Sequence, residues 1–147
     1  MENNPGYHKL QDLLAAFNQG TEAVLKLFTP QALVEYPYAG TLGLPCRLTM
    51  EDYRKHLDTI LASMPEISFT DVKVHALEEK NGYLGEFRAA TVVPQTQSVY
   101  QQDYVVNFKL QDGKFSFYKE FWNVLPVLQH LMDKDAAHYI IDNPVKP

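Results

Sequence analysis

One cysteine, Cys46, stands among the 147 residues, so the chain can form no internal disulfide and offers no thiolate metal cluster. It has no excess of basic charge either. Thirteen Lys and Arg face 18 Asp and Glu, a formal net charge of −5. Binding to nucleic acid requires a basic run or face that neutralises phosphates, so no nucleic-acid partner is expected. No apolar run approaches the roughly 20 residues of a membrane span, and no membrane association is expected. The opening MENNPGYHKL lacks the apolar core of a signal peptide, which makes the cytoplasm the expected location. No glycine-rich loop follows a strand pattern, so phosphate and dinucleotide binding have no support. No serine lies in a nucleophile-elbow sequence. His8, His75, His130 and His138 show no ligand spacing, so neither a metal nor another cofactor is expected.

What the chain does have is apolar and ring-bearing residues: 46% hydrophobic, with nine Tyr and eight Phe, the rings gathered in the second half. The length suits one domain, residues 1–147, around one core. Leu10, Leu13, Leu14 and Phe17 recur at helical spacing. Gly20 ends that helix, and Thr21 is placed to cap a short second one carrying Val24, Leu25, Leu27 and Phe28 and stopping before Pro30. Ala32 to Tyr38 reads as a brief strand, and AGTLGLP as a loop. Thr49 with Asp52 resembles a capping box, opening a helix to about Ser63 with Tyr53, Leu57, Ile60 and Leu61 on its apolar side.

The rest reads as strand. Ile67 to Glu78 meets Tyr83 to Val93 across Asn81-Gly82, a two-residue hairpin signal. Val99 to Leu110 meets Lys114 to Asn123 across Asp112-Gly113, and a short helix near Leu125 to Met132 precedes a polar tail. Helices first and a long antiparallel meander afterwards make an α+β domain, its helices laid over one face of a curved sheet and enclosing a pocket for a small molecule.

The last strand poses the chemical question. FSFYKEFWNV places a carboxylate, Glu120, among five rings. Strict alternation divides it into Phe115, Phe117, Lys119 and Phe121 on one face and Ser116, Tyr118, Glu120 and Trp122 on the other. Neither face looks exposed, which points to helices on one side and a partner subunit on the other. Between Tyr118 and Trp122, Glu120 either pairs with an Arg or Lys of a neighbouring strand or is a proton-transfer group with a raised pKa. His56 shares a helix face with Tyr53 and Ile60 and is a second candidate; if that helix covers the sheet, His56 looks towards Glu120. Arg47 and Arg88 are candidates for an anionic ligand or for surface ion pairs.

The segment LFTPQALVEYPYAG resembles the first-strand region of nuclear-transport-factor-2-like domains, the superfamily of ketosteroid isomerases, SnoaL-like cyclases and phenazine-biosynthesis A/B proteins. That resemblance implies a cone-shaped fold with a deep pocket, paired as a homodimer through the outer sheet face. Ketosteroid isomerases carry their Asp base directly before the Pro of the first-strand motif; here that position is Tyr36. The phenazine-biosynthesis B family is more similar. Its last strand follows an EDGKI hairpin with REFMNVF, against QDGKF and KEFWNVL here, so Glu120 falls on its acid/base glutamate. Its G-L-P loop and a helix with a catalytic His nine residues before a Pro match Gly43-Leu44-Pro45, His56 and Pro65. Ile60 replaces a family serine, and Ala89 and Val106 stand roughly where the family has histidines. The resemblance implies cofactor-free acid/base chemistry on a small cyclic carbonyl compound. In the phenazine-like version, Glu120 moves the proton for imine condensation of two amino-ketones, and His56 orients the ligand or shares the proton. Tyr36, Tyr53, Tyr118, Trp122 and Ile60 shape the pocket. A non-catalytic small-molecule binder of the same fold is the alternative.

Overall fold

In the computed structural model, residues 4–145 are described, and their core is a single curved sheet with helices over its concave face. Helix α1 (Pro5–Phe17) starts where Asn4 accepts a hydrogen bond from the Tyr7 amide at 2.7 Å, with Pro5 in the first turn. It buries Leu10, Leu13 and Leu14, as their spacing predicts. Gly20, at φ +109°, begins α2 (Thr21–Leu25), so Thr21 is inside the helix and not its cap. Phe28 belongs to strand β1 (Phe28–Glu35), a correction of the expected second helix. Its ring is buried against Phe115 and Tyr53, a tertiary contact that overrides the local helical spacing. After β1 come a 3-10 turn (Ala39–Leu42), the two-residue strand β2 (Arg47–Leu48) and helix α3 (Met50–Ser63). Thr49 and Asp52 form the expected capping box, each side chain bonding the other's backbone. Tyr53 and Leu57 then face the sheet and are fully buried.

Strands β3 (Ser68–Ala76), β4 (Gly82–Val92), β5 (Val99–Gln111) and β6 (Lys114–Trp122) form the antiparallel meander. The order across the sheet is β2-β1-β6-β5-β4-β3. One seam departs from the antiparallel expectation: β1 lies parallel to β6, with Val34 beside Tyr118. The Asp112-Gly113 hairpin is as expected, both residues at positive φ and Gln111 paired with Lys114. Asn81-Gly82 is not a two-residue turn. The loop spans residues 77–81, Ala76 pairs with Tyr83, and the Leu77 amide bonds the Gly82 carbonyl. After β6 come α4 (Val124–His130) and α5 (Lys134–Asp142). The second of these replaces the expected polar tail; Asp133 caps it by accepting from two backbone amides.

The β6 alternation is broken once. Leu110 pairs with Phe115 but Lys109 pairs with Phe117, so Ser116 is an extra, bulged residue. This corrects the two-face division. Phe115 joins Tyr118, Glu120 and Trp122 on the concave face and is fully buried, packed on Phe108 and Tyr118. Phe117, Lys119 and Phe121 remain on the convex face, where Lys119 lies over the Phe121 ring.

The α1–β4 contact is tight at one point. A Cβ at Gly6 would stand 2.3 Å from the Tyr83 ring. Gly6→Ala is therefore expected to destabilise the fold by about 1–3 kcal/mol, read as a lower urea midpoint with unchanged slope.

Candidate active site

Three elements aim at one point under the helices. β6 supplies Glu120, which pairs in register with Val106 of β5. β5 also supplies Tyr104, opposite Trp122, and Tyr100. α3 supplies Tyr53, His56 and Ile60 from one face, and the end of β1 leads into Tyr36. The space they enclose has two chambers. The inner one, about 80 Å³, lies beneath α3 and is closed by Phe17, Phe69 and Phe87. The outer one, about 340 Å³, opens between the 3-10 turn and α4, with Leu44, Trp122 and Val127 on its wall. Tyr36, His56, Tyr100, Tyr104 and Glu120 border both chambers and mark their junction.

Glu120 is half-buried, its remaining surface facing this cavity. Burial pushes its pKa up from the ordinary 4.5 to about 7, although the Tyr118 hydroxyl, donating to Oε1 at 3.1 Å, pulls it back down. No salt bridge to Glu120 exists among the described residues, so the ion-pair reading of this carboxylate fails. The candidate cations are engaged elsewhere: Arg88 with Asp103 at 2.8 Å, Arg47 with Glu35 at 3.9 Å. His56 is also half-buried, and burial lowers its pKa, leaving the imidazole neutral at pH 7. Its ring packs on those of Tyr36 and Tyr53, with centroids 5.3 and 6.4 Å away. His56 and Glu120 border the same chambers, but among the described residues no hydrogen bond or ion pair joins them.

The tyrosines keep their protons. Burial raises Tyr36, Tyr53, Tyr104 and Tyr118 well above the usual phenol value, and the nearby Glu120 charge raises them further. Tyr118 does not line the cavity, which corrects its expected role as a pocket wall. It is fully buried behind Glu120 and acts on the carboxylate alone. Tyr118→Phe removes the interaction that favours the charged form. The Glu120 pKa is then expected to rise above about 7, visible as an alkaline shift in its NMR titration.

Sequence reasoning missed Tyr100, Tyr104 and Gln102. Gln102 is buried, donates to the Tyr100 hydroxyl at 3.0 Å and exchanges two 2.8 Å bonds with the Asn123 backbone. It thereby ties the end of β6 to the site, while the Asn123 side chain caps α4 at the Leu125 amide. The alternation of VYQQDYVVNF, with Val106 facing inwards, was the signal that would have found all three. No group of three or more His, Cys, Asp or Glu side chains able to hold a metal lies among the described residues.

A curved sheet closed by helices over a half-buried carboxyl, with phenol hydroxyls around it, defines a small pocket domain. The chain belongs to the SnoaL-like domain family, whose sequence profile matches residues 10–118. It is 30% identical over 118 residues to an uncharacterized PhzA/B-like protein of Pseudomonas aeruginosa, covering 78% of this chain and 81% of that one. Among solved structures, a proposed isomerase from Bacillus subtilis superposes with a TM-score of 0.75 at 24% identity, covering 87% of this chain and 95% of the other. A phenazine biosynthesis-related protein from Pseudomonas aeruginosa superposes at 0.66 with 20% identity, covering 84% and 81%. No helix among the described residues is long and apolar enough to cross a membrane.

Proposed function

We propose that this protein is a cofactor-independent acid/base enzyme of isomerase or cyclase type acting on a carbonyl compound held at the chamber junction. The observation that carries this reading is the Glu120 carboxyl: it faces a cavity and has no cationic partner among the described residues, and burial pushes its pKa up to about 7. A base with that pKa is part ionised and part protonated at neutral pH, so it can take a proton and return it. Tyr118 holds Oε1, and Oε2 is the oxygen left for substrate. In the proposed step Oε2 removes a hydrogen from the carbon beside the carbonyl, and the C–H electron pair moves onto the oxygen as an enolate. Protonated Tyr36 and Tyr104 supply hydrogen-bond donors for that oxygen. Glu120 then returns the proton at the same or a conjugated carbon. His56, neutral and packed on Tyr36, orients the ligand. The family and the isomerase and phenazine-biosynthesis relatives support this reading. It is tested by following hydrogen–deuterium exchange beside the carbonyl of cyclic ketones in D2O. Exchange is expected with the wild-type protein and not with Glu120→Gln.

We also propose that two copies pair through the convex sheet face, where Val105, Phe117 and Phe121 leave apolar surface uncovered. Light scattering on the eluting protein is expected to give the mass of two chains; the mass of one would contradict the pairing.

A further inference from the structure

The polar groups of this cavity are unevenly spread. Apart from the Trp122 indole, every polar side chain on the outer chamber is one of the five at the junction. Beyond them the wall is aliphatic, including Leu42, Leu48, Val127, Leu131 and Met132. The inner chamber adds only Tyr53 and Thr91. The Thr91 hydroxyl is already committed to the Glu66 carbonyl, and the Tyr53 hydroxyl interacts with that of Tyr36. No Lys or Arg lines either chamber among the described residues. The nearest cationic residue by strand position, Lys119, follows the convex face and lies over Phe121. Among the described residues that line the cavity, Glu120 is therefore the one that carries charge at pH 7, and that charge is negative, because burial keeps the His56 imidazole neutral.

Size divides the chambers as sharply as polarity. The inner chamber, about 80 Å³, is roughly a quarter of the outer one and has room for a short branch of a ligand and not its body. The outer chamber, about 340 Å³, lies within the roughly 300–1,000 Å³ of pockets that take small organic ligands.

We infer that the ligand is an uncharged, two-armed carbonyl compound without a carboxylate. Its oxygen sits among the junction tyrosines, a short alkyl arm fills the inner chamber, and an apolar ring body fills the outer one. A carboxylate on either arm would be stripped of water against aliphatic walls, meet no cation, and be repelled by Glu120. This names the ligand class for the proposed reaction and rests on that reading for the chemistry, while the binding preference stands on the walls alone.

The test uses a matched pair, 2-tetralone and 1,2,3,4-tetrahydro-2-naphthoate, which share a bicyclic body and differ in the polar group on one carbon. Trp122, the one tryptophan of the chain and a wall of the outer chamber, reports binding by fluorescence. The ketone is expected to bind about 100-fold more tightly than the carboxylate at pH 7. Equal or tighter binding of the carboxylate overturns the inference, and so does failure of both to change Trp122 emission. Hydrogen exchange measured in the same samples separates the two proposals. Selective ketone binding without exchange supports the ligand class and overturns the acid/base reading. Exchange without preference for the ketone does the reverse.

Discussion

Glu120→Gln is expected to lower turnover by about 10²–10⁴-fold, the usual contribution of a positioned acid/base group, with ligand affinity nearly unchanged. The amide is nearly isosteric with the carboxylate and can still accept from the Tyr118 hydroxyl, so the 3.1 Å contact and the cavity walls survive. What it cannot do is gain and lose a proton. The loss should therefore fall on kcat and leave KM in place. A variant that loses affinity and rate together would point to a binding role. One that keeps its rate would remove Glu120 from the chemistry.

The second large effect is on stability, and its sign is opposite. The folded protein holds the Glu120 proton up to about pH 7, while the unfolded chain releases it near 4.5. Between those values the folded state binds more protons than the unfolded one, so stability falls as pH rises. The contribution is fully present below about pH 4.5 and lost above about 7. At about 1.4 kcal/mol per pH unit, the ionised carboxylate destabilises the fold by about 3 kcal/mol at pH 8. Glu120→Gln carries no such charge. Urea unfolding of both proteins should show the variant more stable at pH 8 by about that amount, with the gap closing towards pH 4.5. The pairing of lost activity with gained stability is the mark of a group kept for chemistry and not for the fold.

Much of this site was legible because its features are local. Helical spacing placed His56 and Ile60 with Tyr53 on one face of α3, and all three line the cavity. The Thr49–Asp52 cap and the Asp112-Gly113 turn were readable because each rests on short-range chemistry. Alternation put Glu120 with Tyr118 and Trp122, and that held because all three follow the Ser116 bulge. Phe115, on the other side of the bulge, was assigned to the wrong face for the same reason: an extra residue inverts every position before it.

The rest depended on distant partners. Phe28 joins a strand because Phe115 stacks on it and Tyr53 meets it edge-on, and nothing in TEAVLKLFTP announces either ring. The parallel seam between β1 and β6 joins segments about eighty residues apart, beyond any periodicity. Tyr118 looked like pocket wall because it shares a face with Glu120. Its complete burial behind the carboxylate follows from Phe28 and Phe115 crowding the same end of the sheet. Alternation through Val106 could have put Tyr104 on the inner face, but its place opposite Trp122 needed the register of β5 on β6.

The proposed chemistry turns on one proton. Glutamate labelled with carbon-13 at the side-chain carboxyl, with Glu120→Gln to assign the signal, gives the titration of Glu120 directly by NMR in the ligand-free protein. The expected midpoint is about 7, set by burial and moderated by Tyr118. A midpoint near the ordinary 4.5 would contradict the account, because Glu120 would then be a solvated carboxylate with no proton to offer at neutral pH.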